Sequence, residues 1–312
     1  MENAAVATTL HLTRALGSLP LIRALKPAAK MVLLAAAFAK VDCFIASYPK
    51  SGRTWLRFIL ANYLNEIFGL GLKVDFHSMF HIIPNSTLDR DLGSGVYRFH
   101  DRAGMPFLAA SHDTYQRVLF LRRSIIFILR DPKDTLVSRY FHKTQHYHDF
   151  AGSINEFLRD PQYGVQDYIH YLNGWAEALD RHRHLVVTYE QLSASPPAVV
   201  QTALGFLGVQ IDHAALDRAV GASSFDAMRA VEITHGLPTR DYDRDQENSL
   251  RVRRGQIGGF RNYLDSEEVA YVERSCTVQL SEKAKHLLAR ADIALSARAD
   301  GELARAYAPA QA

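Results

Sequence analysis

The sequence predicts an α/β fold, a single domain with a central, mainly parallel sheet flanked by helices. Three observations predict it. Short, continuous apolar runs at 44–46, 107–110, 125–129 and 185–187 are of strand length, and their lack of alternation suits strands buried on both faces. Helical patterns separate these runs, the alternation that produces parallel strands. Highly charged turns follow the first and third runs, at the carboxyl ends of strands, where such folds bind ligands.

The elements follow in order. Residues 1–40 hold Arg14, Arg23, Lys26, Lys30 and Lys40 against Glu2 alone, and their longest apolar run, 31–39, is too short to span a bilayer. This leader is expected to be a helix packed on its own domain, with peripheral membrane contact as the alternative. The domain is expected over 41–299, followed by a frayed tail at 300–312. Ser153 with Glu156 reads as a capping box. Ser195-Pro196 reads as an N-cap and first helical position. Asp265 with Glu268 opens a helix expected to run through Val269 and Val272 into Leu287. Irregular segments at 75–102 and 232–254, with 145–175, are expected to wall a substrate site, with Tyr97, Phe99, Tyr147, Phe150, Tyr163, Tyr168 and Tyr171 among their aromatics.

Composition excludes several classes. At 312 residues, 48% hydrophobic and 22% charged, the chain is an ordinary globular protein. A net charge of +3 suits a small anion and gives no sign of nucleic acid. The two cysteines, Cys43 and Cys276, make no disulfide framework or zinc spacing, so a reduced, cytoplasmic setting is expected.

The first charged turn is Ser47-Tyr48-Pro49-Lys50-Ser51-Gly52-Arg53-Thr54, between the strand 44–46 and a helix opening at Trp55. A strand, a glycine turn and a helix N-terminus make an anion site. The Walker loop is not matched: Ser47 stands where its first glycine would be, and Arg53 follows Gly52 where its lysine would be. The strand 125–129 ends in Arg130-Asp131-Pro132, with Ser138 about two turns into the next helix. Arg130 offers a fork of donors suited to phosphate, or an ion pair with Asp131 or Asp134. A third basic cluster, Arg251-Val252-Arg253-Arg254-Gly255, adds a glycine that lets backbone approach an oxyanion.

Together, Tyr48 to Trp55, then Arg130-Asp131-Pro132-Lys133-Asp134 with Ser138, then Arg253-Arg254-Gly255 with Gly258, Phe260 and Asn262, resemble the cytosolic-type sulfotransferases. These transfer sulfate from 3′-phosphoadenosine 5′-phosphosulfate (PAPS). The resemblance implies a P-loop-like cradle for the 5′-phosphosulfate from Lys50, Ser51, Gly52, Arg53 and Thr54. It implies adenine contacts from Trp55, Tyr189, Ser223 and Phe225, and a 3′-phosphate site from Arg130, Ser138, Arg253, Arg254 and Gly255. Catalytic roles fall to Lys50, Ser138 and His112. There are departures: Arg53 replaces a frequent threonine, Ala110 replaces a frequent lysine, and no dimerisation signature is evident in 265–273, so no oligomeric state carries over.

The mechanism expected is in-line sulfuryl transfer to an acceptor hydroxyl, with a base taking its proton and no metal implied. The acceptor is a glycan, a glycolipid or a small alcohol or phenol. A nucleotide-dependent kinase and a non-catalytic nucleotide-binding protein are the alternatives. Among 14 histidines, His112 is the expected base, because it follows the strand 107–110 at its carboxyl end. The neighbouring carboxylate of Asp113 is expected to orient its ring or to favour its charged form. His77, His81 and His100 are weaker rivals, and His142 and His146 fall on the helix after Arg130.

Overall fold

The computed structural model describes residue 32 and residues 35–36, 38–86, 102–238 and 242–295. Most of the leader, the stretch 87–101 with Tyr97, Phe99 and His100, and the tail from 296 lie outside the described residues.

Four parallel strands form the sheet: β1 (Cys43–Ser47), β2 (Leu108–Ser111), β3 (Ser124–Leu129) and β4 (His184–Thr188), in the order β2-β1-β3-β4. Phe44 stands opposite Ala109 on one side and Ile125 on the other. Every residue of β1 is buried, which requires cover on both faces. The longer helices are α1 (Arg53–Ile67), α2 (Pro132–Phe141), α3 (Val165–Leu179), α4 (Pro196–Leu207), α5 (His213–Ala222), α6 (Phe225–His235), α7 (Ser266–Gln279) and α8 (Glu282–Arg290). One group packs α1 with α4 and α5; another packs α3 with α7 and α8. Local chemistry sets their ends. Ser153–Glu156 and Asp265–Glu268 form the expected capping boxes, and Pro196 takes the first position of α4.

Three expectations need correction. The helix opened by Asp265 stops at Gln279, because Ser281 caps a new helix by accepting from the N–H of Ala284. Glu232 is in the last turns of α6, not in an irregular segment. Tyr168, Tyr171 and Trp175 are core rather than substrate wall: all three are buried on α3, where Trp175 packs on Phe120 and Phe127.

The strand order decides the geography. Each strand's carboxyl end delivers one segment to the same edge. Across the edge they read His112 after β2, Lys50 after β1, Arg130 after β3 and Tyr189 after β4. At the usual inter-strand spacing this row spans about 14 Å.

Candidate active site

The loop after β1 turns sharply because Lys50 and Gly52 both adopt positive φ, 73° and 97°. Such a conformation is costly for lysine and is kept where surrounding structure enforces it. Gly52 could not be otherwise: a Cβ there would lie 2.6 Å from Cδ2 of Tyr189. Gly52 caps α1 without any side-chain acceptor, so the first N–H groups of α1 remain available to an anion. The loop is anchored from below. The hydroxyl of buried Tyr48 donates to Asp167 of α3 (2.9 Å), which also takes the guanidinium of Arg139 (2.6 Å).

The N-terminus of α2 differs. Asp131 closes it by accepting from the N–H groups of Lys133 and Asp134. An anion bound beside it would therefore have to be met by side chains. The guanidinium of Arg130 lies 4.1 Å over the ring of Tyr189. It donates to the carbonyl of Gln256 (2.9 Å) and approaches that of Lys50 (3.4 Å), tying the two loops together. Its ion pair with Asp134 is long, at 3.8 Å. Asp134 spends its oxygens on the N–H groups of Gly258 (2.7 Å) and Phe260 (2.8 Å), which fixes the third basic segment against α2. Gly255, at φ 64°, leaves no room for a Cβ, which would meet Phe225 at 2.9 Å. Arg253 stacks on Phe141 (4.3 Å) and donates to the hydroxyl of Tyr263 (2.7 Å), whereas Arg254 pairs with Glu247 (3.6 Å).

One cleft of about 760 Å³ gathers these groups. Its wall includes Lys50, Gly52, Arg53, Thr54, Trp55, His112, Arg130, Ser138, Tyr189, Phe225, Arg253, Arg254 and Gly255. Ser51 and Ser223 are buried behind the wall. The backbone carbonyl of Ser223 accepts from the indole of Trp55 (2.9 Å), while its hydroxyl meets Asn62 (3.2 Å). Tyr147 lines the cleft as expected.

His112 sits at the β2 end of the row, with Nδ1 2.8 Å from the carbonyl of Ser47. A carbonyl only accepts, so Nδ1 carries the proton and Nε2 keeps its lone pair. Asp113 is not the orienter: its carboxylate accepts from the hydroxyl of Ser111 (2.7 Å) and lies 3.5 Å from that of Ser86. The ring can be reached by solvent along the cleft but is crowded by protein. That crowding, then the cations Arg53, Arg251 and Lys50, hold His112 well below its usual pKa, against the opposing pull of the Ser47 bond. Burial first, then Arg251, push Lys50 down to about 7. Burial likewise lowers Arg53, which stays charged at neutral pH.

The sequence reading missed two features. α2 widens into a π turn, His142–His146, a device common at functional sites, and it brings His142 to the cleft wall. Arg251 also reaches the wall, with Nη1 3.5 Å from the hydroxyl of Thr54. The π turn has no sequence motif, and although Arg251 belongs to the third basic cluster, its place beside Thr54 depends on a contact between segments far apart in the chain. His77 instead lies beside the carbonyl of His235 (3.2 Å), and buried His146 is bonded to the carbonyl of Ser249 (2.9 Å).

The sulfotransferase domain family matches residues 40–286, most of the chain, and the chain belongs to that family. It is similar to human Sulfotransferase 2B1, 27% identical over 77% of this chain and 66% of that protein. It is also similar to Cytosolic sulfotransferase 17 of Arabidopsis thaliana, 28% identical over 80% of this chain and 78% of that one. Among solved structures, the fold is shared with mouse sulfotransferase SULT7A1 complexed with PAP, at TM-score 0.58 and 21% identity over 82% of this chain and 93% of that one. Retinol dehydratase in a complex with retinol and PAP gives TM-score 0.57 and 18% identity over 82% and 84%. The protein is thus a PAPS-dependent sulfotransferase, and neither the kinase nor the non-catalytic alternative has support. Among the described residues, no helix is long and apolar enough to cross a membrane.

Proposed function

We propose that this cleft transfers the sulfuryl group of PAPS to the hydroxyl of a small-molecule alcohol or phenol, with His112 as general base. The observation that carries the reading is the row across the sheet edge: His112, Lys50, Arg130 and Tyr189 on successive strand ends of one cleft. PAPS carries charge at both ends of its ribose, and the row offers two anion sites side by side.

The 5′-phosphosulfate lies on the N-terminus of α1 against Lys50 and Thr54. The 3′-phosphate takes Arg130, Ser138 and the Arg253–Arg254 pair, and the adenine stacks between Trp55 and Phe225, near Tyr189. Nε2 of His112 takes the acceptor's proton as its oxygen bonds to sulfur. The bond from sulfur to the bridging phosphate oxygen breaks, and Lys50 follows the charge that develops on that oxygen. The products are a sulfate ester and adenosine 3′,5′-bisphosphate (PAP). Small-molecule acceptors have support in the retinol and androsterone complexes of retinol dehydratase, which shares the fold. A cytoplasmic setting fits the free cysteines, both buried, and a relative named Cytosolic sulfotransferase 17.

An acceptor screen with PAPS and mass detection tests the reading. A gain of one sulfate on an alcohol or phenol is expected. Consumption of ATP with phosphate gain, and none of PAPS, would overturn it.

A further inference from the structure

We infer that Arg251 is a catalytic residue whose guanidinium holds the non-bridging oxygens of the sulfuryl group while it is being transferred. The inference rests on the reading of His112 as base and Lys50 as the leaving-group cation.

Position comes first. Arg251 lines the cleft and places Nη1 3.5 Å from Oγ1 of Thr54, on the first turn of α1. That turn borders the gap between Lys50 and His112, the two groups that must flank a transferring sulfur atom. The influence of its charge agrees: Arg251 depresses Lys50, Arg53, His112 and His142 alike, so it stands near all four. β2 itself, at Leu108–Ser111, brings no cation to this point.

Its bonding comes second. Among the described residues Arg251 has no ion pair, and its buried Nε has no partner. Three other arginines of the wall have partners, whereas Arg53, on the first turn of α1, shares with Arg251 buried donors that have none. Arg130 has Asp134 and Gln256, Arg139 has Asp167, and Arg254 has Glu247. A half-buried cation with spare donors lacks an anion.

Its support comes third. The backbone N–H of Arg251 donates to Oε1 of Glu232 (2.7 Å), and that of Val252 to Oε2 (2.8 Å). Tyr242 donates to the same carboxylate (2.9 Å), which is fully buried on α6. The fork is thus delivered by a segment fixed at its root, as preorganised charge stabilisation requires.

In the transfer, the acceptor oxygen bonds to sulfur and gives its proton to His112, while the bridging S–O bond breaks toward Lys50. The three remaining sulfuryl oxygens lie in a plane across that line, where Arg251 can reach them.

PAP lacks the sulfuryl group, which makes the test direct. Calorimetry would compare PAP and PAPS on wild type, Arg251→Gln and Arg251→Lys, and a second assay would follow release of sulfate from PAPS with water as the acceptor. Arg251→Gln should bind PAP within about threefold of wild type, lose PAPS affinity about tenfold, and release sulfate at least 30-fold more slowly. Arg251→Lys should recover part of the rate. PAP and PAPS affinities falling equally would overturn the role and make Arg251 a phosphate anchor. Unchanged sulfate release would overturn it too. A wild-type protein that binds neither nucleotide would instead contradict the underlying reading.

Discussion

His112 points Nδ1 at the carbonyl oxygen of Ser47, 2.8 Å away, across the two neighbouring strands β2 and β1. The bond ties His112 to the strand that leads into Lys50, so the proposed base and the proposed leaving-group cation share one frame. It also fixes the neutral tautomer with Nε2 free.

The first prediction concerns that imidazole. His112→Ala should lower turnover by roughly 100-fold or more while leaving PAP affinity nearly intact. Because the free enzyme holds His112 well below 6.5, the neutral base should persist as pH falls below the ordinary histidine range. In wild type, kcat/KM should therefore show no loss near pH 6.5 that tracks this group. A drop centred there and absent from His112→Ala would show that the imidazole titrates in its ordinary range and would contradict its depression by burial and the neighbouring cations.

Lys50 gives a prediction with the opposite reach. Its pKa of about 7 in the free protein should rise when an anion binds beside it, so nucleotide binding takes up a proton above pH 7. The phosphates are already ionised there, since their second pKa is about 6. PAP affinity should fall above pH 7, by up to about tenfold per unit. Lys50→Met should flatten that slope and cost turnover more than binding. A steep slope surviving in Lys50→Met would show that another group is responsible.

Arg130→Ala removes a charge-assisted contact to the 3′-phosphate and the stack on Tyr189. PAP affinity should fall by about 2–3 kcal/mol, or roughly 30- to 150-fold, with acceptor KM little changed. Equal PAP affinity in calorimetry would remove Arg130 from the site.

At Gly52 two constraints coincide, a φ of 97° and a Cβ position 2.6 Å from Tyr189, whereas Gly69 has φ 57° and open space around it. Gly52→Ala should destabilise by about 1–3 kcal/mol in urea unfolding and weaken PAP binding. Gly69→Ala should cost less and leave PAP binding alone. Similar results for the two would mean that the loop yields without strain.

Much of this was legible in sequence because it is local. A strand, a turn and a helix are contiguous at Lys50 and at Arg130, and capping at Ser153 and Asp265 is written within four residues. What was not legible depends on distant partners. Glu232 pins the backbone of Arg251 from 19 residues away, and Ser47 orients His112 across 65. The aromatics of α3 were misplaced because tyrosines with free hydroxyls read like a binding wall. Tyr168 and Tyr171 instead stack edge-on around Tyr48 beneath the loop.

The most direct test of the whole account sets PAPS turnover beside PAP binding in wild type and His112→Ala, using an alcohol or phenol from the acceptor screen. Wild type should convert PAPS and acceptor to PAP and sulfate ester in equal amounts, and His112→Ala should bind PAP equally well yet turn over at least about 100-fold more slowly. Undiminished transfer by His112→Ala would contradict the assignment of the base and, with it, the direction from which the acceptor enters.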